Sequence, residues 1–176
     1  MLRPASDPEH LPAYRLGSLV LFAAIAVIFT ALAFEYIGGY APCPLCLQQR
    51  YAYYAGIPAL FLALVLFAAD HGKVAAAILA LVAVAFLANA ALGVYHAGAE
   101  WKYWEGPATC AAQGGNPFAT GPGGLLREIE TTRVIRCDEA SWRLLGLSFA
   151  GWNVVASVLL AAGAAAAAFQ AVRRAP

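Results

Sequence analysis

The residues of this 176-residue chain best able to do chemistry are its four cysteines, Cys43, Cys46, Cys110 and Cys137. Cys43 and Cys46 form a C-P-L-C motif. A bridge across C-x-x-C closes almost no loop and so adds little as a structural clamp, whereas it is the spacing of redox-active dithiols. Cys110 and Cys137 are separated by 26 residues, a spacing that also suits a structural disulfide closing a long loop. Four thiolates could hold a structural zinc, but the later pair does not repeat the C-x-x-C spacing of such sites, and no metal is expected. Structural bridges, zinc and redox-active pairs are thus the competing readings, and the C-x-x-C favours the last.

The surroundings of Cys46 sharpen that preference. Pro42 and Pro44 oppose helix through the motif, and an apolar stretch follows directly. Cys46 is expected in the first turn of a helix, where unpaired N–H groups and the helix dipole favour an anion. Arg50 lies four residues on, on the same helical face. Both features favour the thiolate, the species that reacts. A second reading of Arg50 is an interfacial arginine reaching to lipid headgroups.

The elements that must position these residues follow from composition. Charged residues make up 12% of the chain and apolar residues 62%, with a formal net charge of +1. Disorder needs the opposite balance, and nucleic-acid binding would need a basic surplus that is absent. An integral membrane protein in contact with lipid remains. Four stretches lack Asp, Glu, Lys and Arg: Leu16–Phe34, Tyr51–Ala69, Val74–Ala99 and Leu144–Val172. Each is long enough to cross the hydrocarbon as a helix, and none alternates as a barrel strand does. The fold class expected is all-α, a single integral membrane four-helix bundle (residues 1–176) with two redox-active loops, 35–50 and 100–143, on one side. Ala31-Leu32-Ala33 resembles a signal cleavage site, but the 19-residue apolar run Leu16–Phe34 that contains it exceeds a signal h-region.

An even number of spans puts both termini on one side, with Arg3, Arg15, Lys73, Arg173 and Arg174 in short tails and one tight turn. The other side carries Arg50, Lys102, Arg127, Arg133, Arg136 and Arg143, spread over longer loops with most of the acids. Density places the termini in the cytoplasm. All the cysteines fall in the opposite loops, which suits an oxidising compartment. Aromatic residues, including Tyr51, Trp101, Trp104, Trp142 and Trp152, crowd the span borders as at a membrane interface. Within the long loop, Gly114–Gly124 reads as irregular and mobile, and Leu125–Glu130 as a short amphipathic turn on the membrane surface.

The chain resembles the bacterial disulfide-bond formation protein B (DsbB) family of inner-membrane quinone reductases. The likeness is carried by Ala41–Arg50, by Tyr95–Gly98 with Glu100-Trp101, by Gly106–Cys110, and by Cys137–Glu139 with Trp142–Ser148 and Gly151–Asn153. It implies electron flow from a reduced periplasmic thioredoxin-like protein (DsbA-like) to the second-loop pair, then to the C-x-x-C, then to a quinone, either ubiquinone or menaquinone. By position, Cys110 would form the mixed disulfide with the partner and Cys137 would be its mate. Cys43 would exchange with that pair, and Cys46 would face the quinone as a thiolate. Arg50 would stabilise that thiolate and the quinone oxygens, and His96 would be the family histidine at the outer end of the third span. His96 can also be read as an interfacial histidine bonded to a neighbouring helix.

Two alternatives are distinguishable. A vitamin K epoxide reductase-like enzyme would carry its C-x-x-C on a late span, whereas here the motif precedes the second. A membrane scaffold would use the disulfides only to hold its loops, with Asn89 and small residues packing the helices. His10 and His71 read as solvated surface residues.

Overall fold

A computed structural model describes residues 11–106, 137 and 140–174. Cys110, the Gly114–Gly124 stretch, Leu125–Glu130 and His10 lie outside the described residues. Four helices long and apolar enough to cross a membrane are present among the described residues. They are α1 (Leu11–Tyr36), α2 (Pro44–Ala68), α3 (Gly72–Glu100) and α4 (Phe149–Arg174), and a two-stranded hairpin of β1 (Arg143–Leu144) and β2 (Leu147–Ser148) precedes α4. The chain is a multi-pass, all-α membrane protein.

The helix ends follow from local chemistry. Cys43 caps α2 in an extended conformation with Pro44 at the first helical position, where its missing N–H costs nothing. Both α2 and α3 end in a Schellman turn: His71 N–H bonds Leu66 O and Asp70 N–H bonds Phe67 O, as Tyr103 N–H bonds Gly98 O and Lys102 N–H bonds Ala99 O. Asp70 and Lys102 take the left-handed conformation these turns require, at φ 63 and 61. The fourth uncharged stretch begins at Leu144, yet α4 begins only at Phe149. Leu145 and Gly146, both at positive φ, turn the chain as a hairpin loop, and the Ser148 hydroxyl then accepts the Gly151 N–H as an N-cap.

The helices pack in a ring in which α1 touches α2 and α4, and α3 touches α2 and α4 most extensively. Residue pairs give the directions. Glu35 near the end of α1 meets Arg50 at the start of α2, and Gln49 beside it meets His96 near the end of α3. The interior is lined by Leu60, Leu79, Phe86 and alanines such as Ala164 and Ala167. Small residues allow the close backbone approach that drives helix association in lipid. A Cβ on Gly93 would lie 2.7 Å from a Val154 methyl, and one on Gly163 would lie 2.6 Å from Val20. Phe22, Phe61, Leu81 and Leu159 instead point outward, an apolar surface suited to acyl chains.

Candidate functional site

The site lies where the starts of α2 and α4 meet the ends of α1 and α3. The Sγ atoms of Cys43 and Cys46 are 2.7 Å apart, both as free thiols. Cys43 is buried with Leu45 and Cys137 in one cluster, against which Cys46 and Leu92 pack. Cys137 is itself disulfide-bonded. The fold therefore brings one cysteine of the long loop against the first cysteine of the C-x-x-C.

Cys46 falls in the first turn of α2, as the proline pattern predicts, but the helix start favours its neighbour. The Cys46 backbone N–H points at Cys43 Sγ, 3.2 Å away, because Cys43 is the N-cap and its side chain folds back over the first turn. His96 Nε2 stands 3.5 Å from the same sulfur. The hydrogen bond with the Cys46 thiol lowers the Cys43 thiol most; burial opposes it and His96 adds to it, leaving the group down at about 5. The helix-terminal N–H expected to serve Cys46 is directed at Cys43, where it is the smallest of these contributions.

Arg50 has a partner that the sequence did not suggest. It lies one turn after Cys46, and its guanidinium NH1 donates to the Glu35 carboxylate across the α1–α2 contact. The pair is largely buried, with side-chain exposures of 12% and 20%. Composition offered no means of pairing Glu35 with Arg50, since their proximity depends on the length of the turn between the helices.

His96 is 2% exposed and does not face the surface. Its Nδ1 is 2.8 Å from Gln49 Nε2, and its Nε2 is 3.7 Å from Glu100 Oε1. Glu100 accepts the Ser148 hydroxyl. Asn153 Nδ2 donates to Gln49 Oε1 at 2.6 Å, Tyr53 donates its hydroxyl to Asn153 Oδ1 at 2.8 Å, and Asn89 Nδ2 donates to Ser157 Oγ at 2.9 Å. Gln49, Glu100, Ser148 and Asn153 fall within the stretches that carry the resemblance, but the sequence assigns none of them a role. The available signal was polar side chains within apolar spans, which must find partners inside the bundle.

Cys43, Cys46 and His96 offer donor atoms within 4.8 Å of one another. Thiolates sharing a tetrahedral zinc stand about 3.8 Å apart, given Zn–S bonds of about 2.3 Å. The 2.7 Å between the two sulfurs is shorter than that spacing. A metal-bound histidine also donates its other ring N–H to an acceptor, whereas the Gln49 amino group faces Nδ1. The arrangement fits thiol exchange better than a metal.

Beside the sulfurs is a cavity of 580 Å³, within the range of small-molecule sites. Cys46, Arg50, His96, Gln49 and Asn153 line it, together with apolar residues of α1 and α4. Six aromatic side chains border it, and four of them cluster: Phe34 contacts Tyr40, Trp142 and Phe149, and Trp142 stacks on Phe149 with centroids 4.9 Å apart. Cys46 is on this wall, while Cys43 is not among its lining residues. A flat apolar ring carrying polar oxygens would find aromatic faces along its length and donors at one end.

A dithiol with one sulfur buried and one half-buried at the end of a membrane bundle, with a bonded cysteine of another loop against it, defines a membrane thiol–disulfide oxidoreductase. Comparison with known proteins is more specific: the family model "Disulfide bond formation protein DsbB" matches residues 14–167, and the chain belongs to that family. It is similar to Disulfide bond formation protein B of Acidovorax sp. (strain JS42), 30% identical over 158 residues, covering 84% of this chain and 82% of the relative. Disulfide bond formation protein B of Verminephrobacter eiseniae is 27% identical over 154 residues, covering 83% and 80%. An uncharacterized protein of Rickettsia prowazekii is 25% identical over 148 residues, covering 84% and 83%. No solved structure matches the chain. Membership of the family makes the protein a disulfide-bond-forming oxidoreductase.

Proposed function

We propose that this protein reoxidises a periplasmic thioredoxin-like dithiol protein (DsbA-like) and delivers the electrons to a membrane quinone, ubiquinone or menaquinone. Cys110 and Cys137 receive electrons from the partner, and Cys43 and Cys46 pass them on. The chain is one membrane domain of the inner membrane, with cytoplasmic termini and both cysteine loops in the periplasm.

The observation that carries this reading is the opposed placement of two sulfurs 2.7 Å apart. Cys43 packs against Cys137, and Cys46 lines the cavity. Each exchange needs a thiolate beside a disulfide sulfur, and Cys43 is a free thiol packed in one cluster with the bonded Cys137. A quinone in the cavity would supply a two-electron, two-proton sink. Cys46 would present its sulfur there, Arg50 would offer hydrogen-bond donors to ring oxygens, and His96 would line the wall beside them. The aromatic wall would exclude water.

The test is anaerobic. Detergent-purified protein is mixed with a quinone and a reduced thioredoxin-like protein, and quinone loss is followed by ultraviolet absorbance. Catalytic loss that disappears in Cys46→Ala supports the proposal. Absence of turnover, with every cysteine still oxidised, would return the protein to the scaffold reading.

A further inference from the structure

His96 holds one proton on either of two ring nitrogens when neutral, and its neighbours decide which. Gln49 Nε2 lies 2.8 Å from Nδ1. The other end of that amide is occupied, because Gln49 Oε1 accepts Asn153 Nδ2 at 2.6 Å. Asn153 is fixed in turn, its Oδ1 accepting the Tyr53 hydroxyl at 2.8 Å and facing Asn89 Nδ2 at 3.5 Å. An amide amino group only donates, so Nδ1 accepts and the ring proton resides on Nε2. That nitrogen faces Cys43 Sγ at 3.5 Å and Glu100 Oε1 at 3.7 Å.

We infer that Asn153, acting through Gln49, is a positioning residue that fixes His96 as the Nε2–H tautomer and thereby supplies a hydrogen-bond donor to the Cys43 thiolate. The relay crosses the bundle from α4 to α2 to α3, so the order of these helices sets the protonation pattern at a sulfur that Asn153 reaches only through two other side chains. It deepens the function proposed above and rests on that reading for its place in turnover. The relevant step is the exchange in which Cys43 leaves. The bond between Cys43 and a second-loop cysteine breaks, the electron pair stays on the Cys43 sulfur, and the incoming second-loop thiolate forms the new disulfide. A donor aimed at Cys43 stabilises the charge left there. The titratable groups around this sulfur are Cys46 on α2 and His96 and Glu100 on α3, with Arg143 of β1 acting on Glu100. Cys137, in the same cluster, is bonded.

The test needs neither quinone nor partner, so its failure is separable from failure of the proposed function. Full-length protein in detergent, its C-x-x-C reduced, is labelled with 15N-histidine. The His96 tautomer is read from its ring nitrogen shifts, with His96→Asn used only for assignment. Alkylation of Cys43 at pH 4, below its midpoint, is followed by peptide mapping. The wild type should show Nε2–H. Asn153→Leu and Gln49→Met should each mix the tautomers and slow Cys43 alkylation about tenfold, the loss expected for one hydrogen bond to a charged sulfur. If Asn153→Leu does not fold, Gln49→Met together with the wild-type spectrum decides the question. An Nδ1–H tautomer in the wild type, or unchanged tautomer and reactivity in the folded variants, overturns the inference.

Discussion

The Arg50 guanidinium is paired with the Glu35 carboxylate, joining the end of α1 to the start of α2 one turn away from Cys46. This contact holds the arginine at the cavity wall and offsets a charge that would otherwise sit in a largely apolar surround. Removing one partner of such a pair leaves the other uncompensated, which costs more than the pair itself contributes.

Glu35→Gln should therefore loosen Arg50 more than it disturbs the sulfurs. On the proposed function, steady-state assays with a short-chain quinone should show KM raised about tenfold with kcat changed much less, the size of one charge-assisted hydrogen bond. A loss of kcat with KM unchanged would place Glu35 in the thiol steps instead.

The two thiols should titrate unequally. Cys43, held down at about 5 chiefly by the Cys46 hydrogen bond, should alkylate at a rate that rises tenfold per pH unit below that value and levels off above it. The sign follows from the thiolate being the nucleophile. Cys46→Ala removes the largest cause and should move the midpoint upward. A midpoint in the ordinary thiol range in the wild-type reduced protein would contradict this.

How much of this could be read from the sequence is clear from Cys46 and Arg50. Uncharged runs and prolines sufficed to place four membrane helices and to set Cys46 in the first turn of α2, because both are local consequences of composition and backbone chemistry. The sulfur favoured by that turn was not legible, since an N-cap that folds its own side chain over the helix start depends on one dihedral choice. The partners of Arg50 and His96 were hidden for a different reason. Glu35, Gln49 and Asn153 lie on three helices, and only their relative heights in the bundle bring them to the site. The start of α4 was misplaced by hydropathy because Leu144–Leu147 is apolar yet turns as a hairpin.

Ser148 serves two elements at once, capping α4 through Gly151 N–H and donating to the Glu100 carboxylate. Ser148→Ala should lower unfolding free energy by about 2 kcal/mol, combining a lost N-cap with a buried acceptor left unpaired. Ser148→Thr, which keeps the hydroxyl, should restore most of it in detergent thermal melts. Equal loss in both variants would rule out the hydroxyl as the cause.

Gly98 supports the outer end of α3. A Cβ there would lie 2.0 Å from the Trp104 ring, which also bonds the Tyr95 carbonyl through Nε1 at 2.8 Å. Gly98→Ala should expel the indole, shift tryptophan emission and cost roughly 1–3 kcal/mol, as overpacking does. Gly163→Ala, which meets only a valine methyl, should cost less because that methyl can move. An unchanged emission spectrum in Gly98→Ala would show that the ring is not seated there.

The central claim is that the two sulfurs of the C-x-x-C serve different neighbours, Cys43 the second loop and Cys46 the cavity. Peptide mapping of disulfides after mild oxidation of the Cys46→Ala and Cys43→Ala variants tests it directly. The account predicts a Cys43–Cys137 cross-link in Cys46→Ala and no corresponding bond from Cys46 in Cys43→Ala. A cross-link from Cys46 to the second loop, with Cys43 left free, would contradict it.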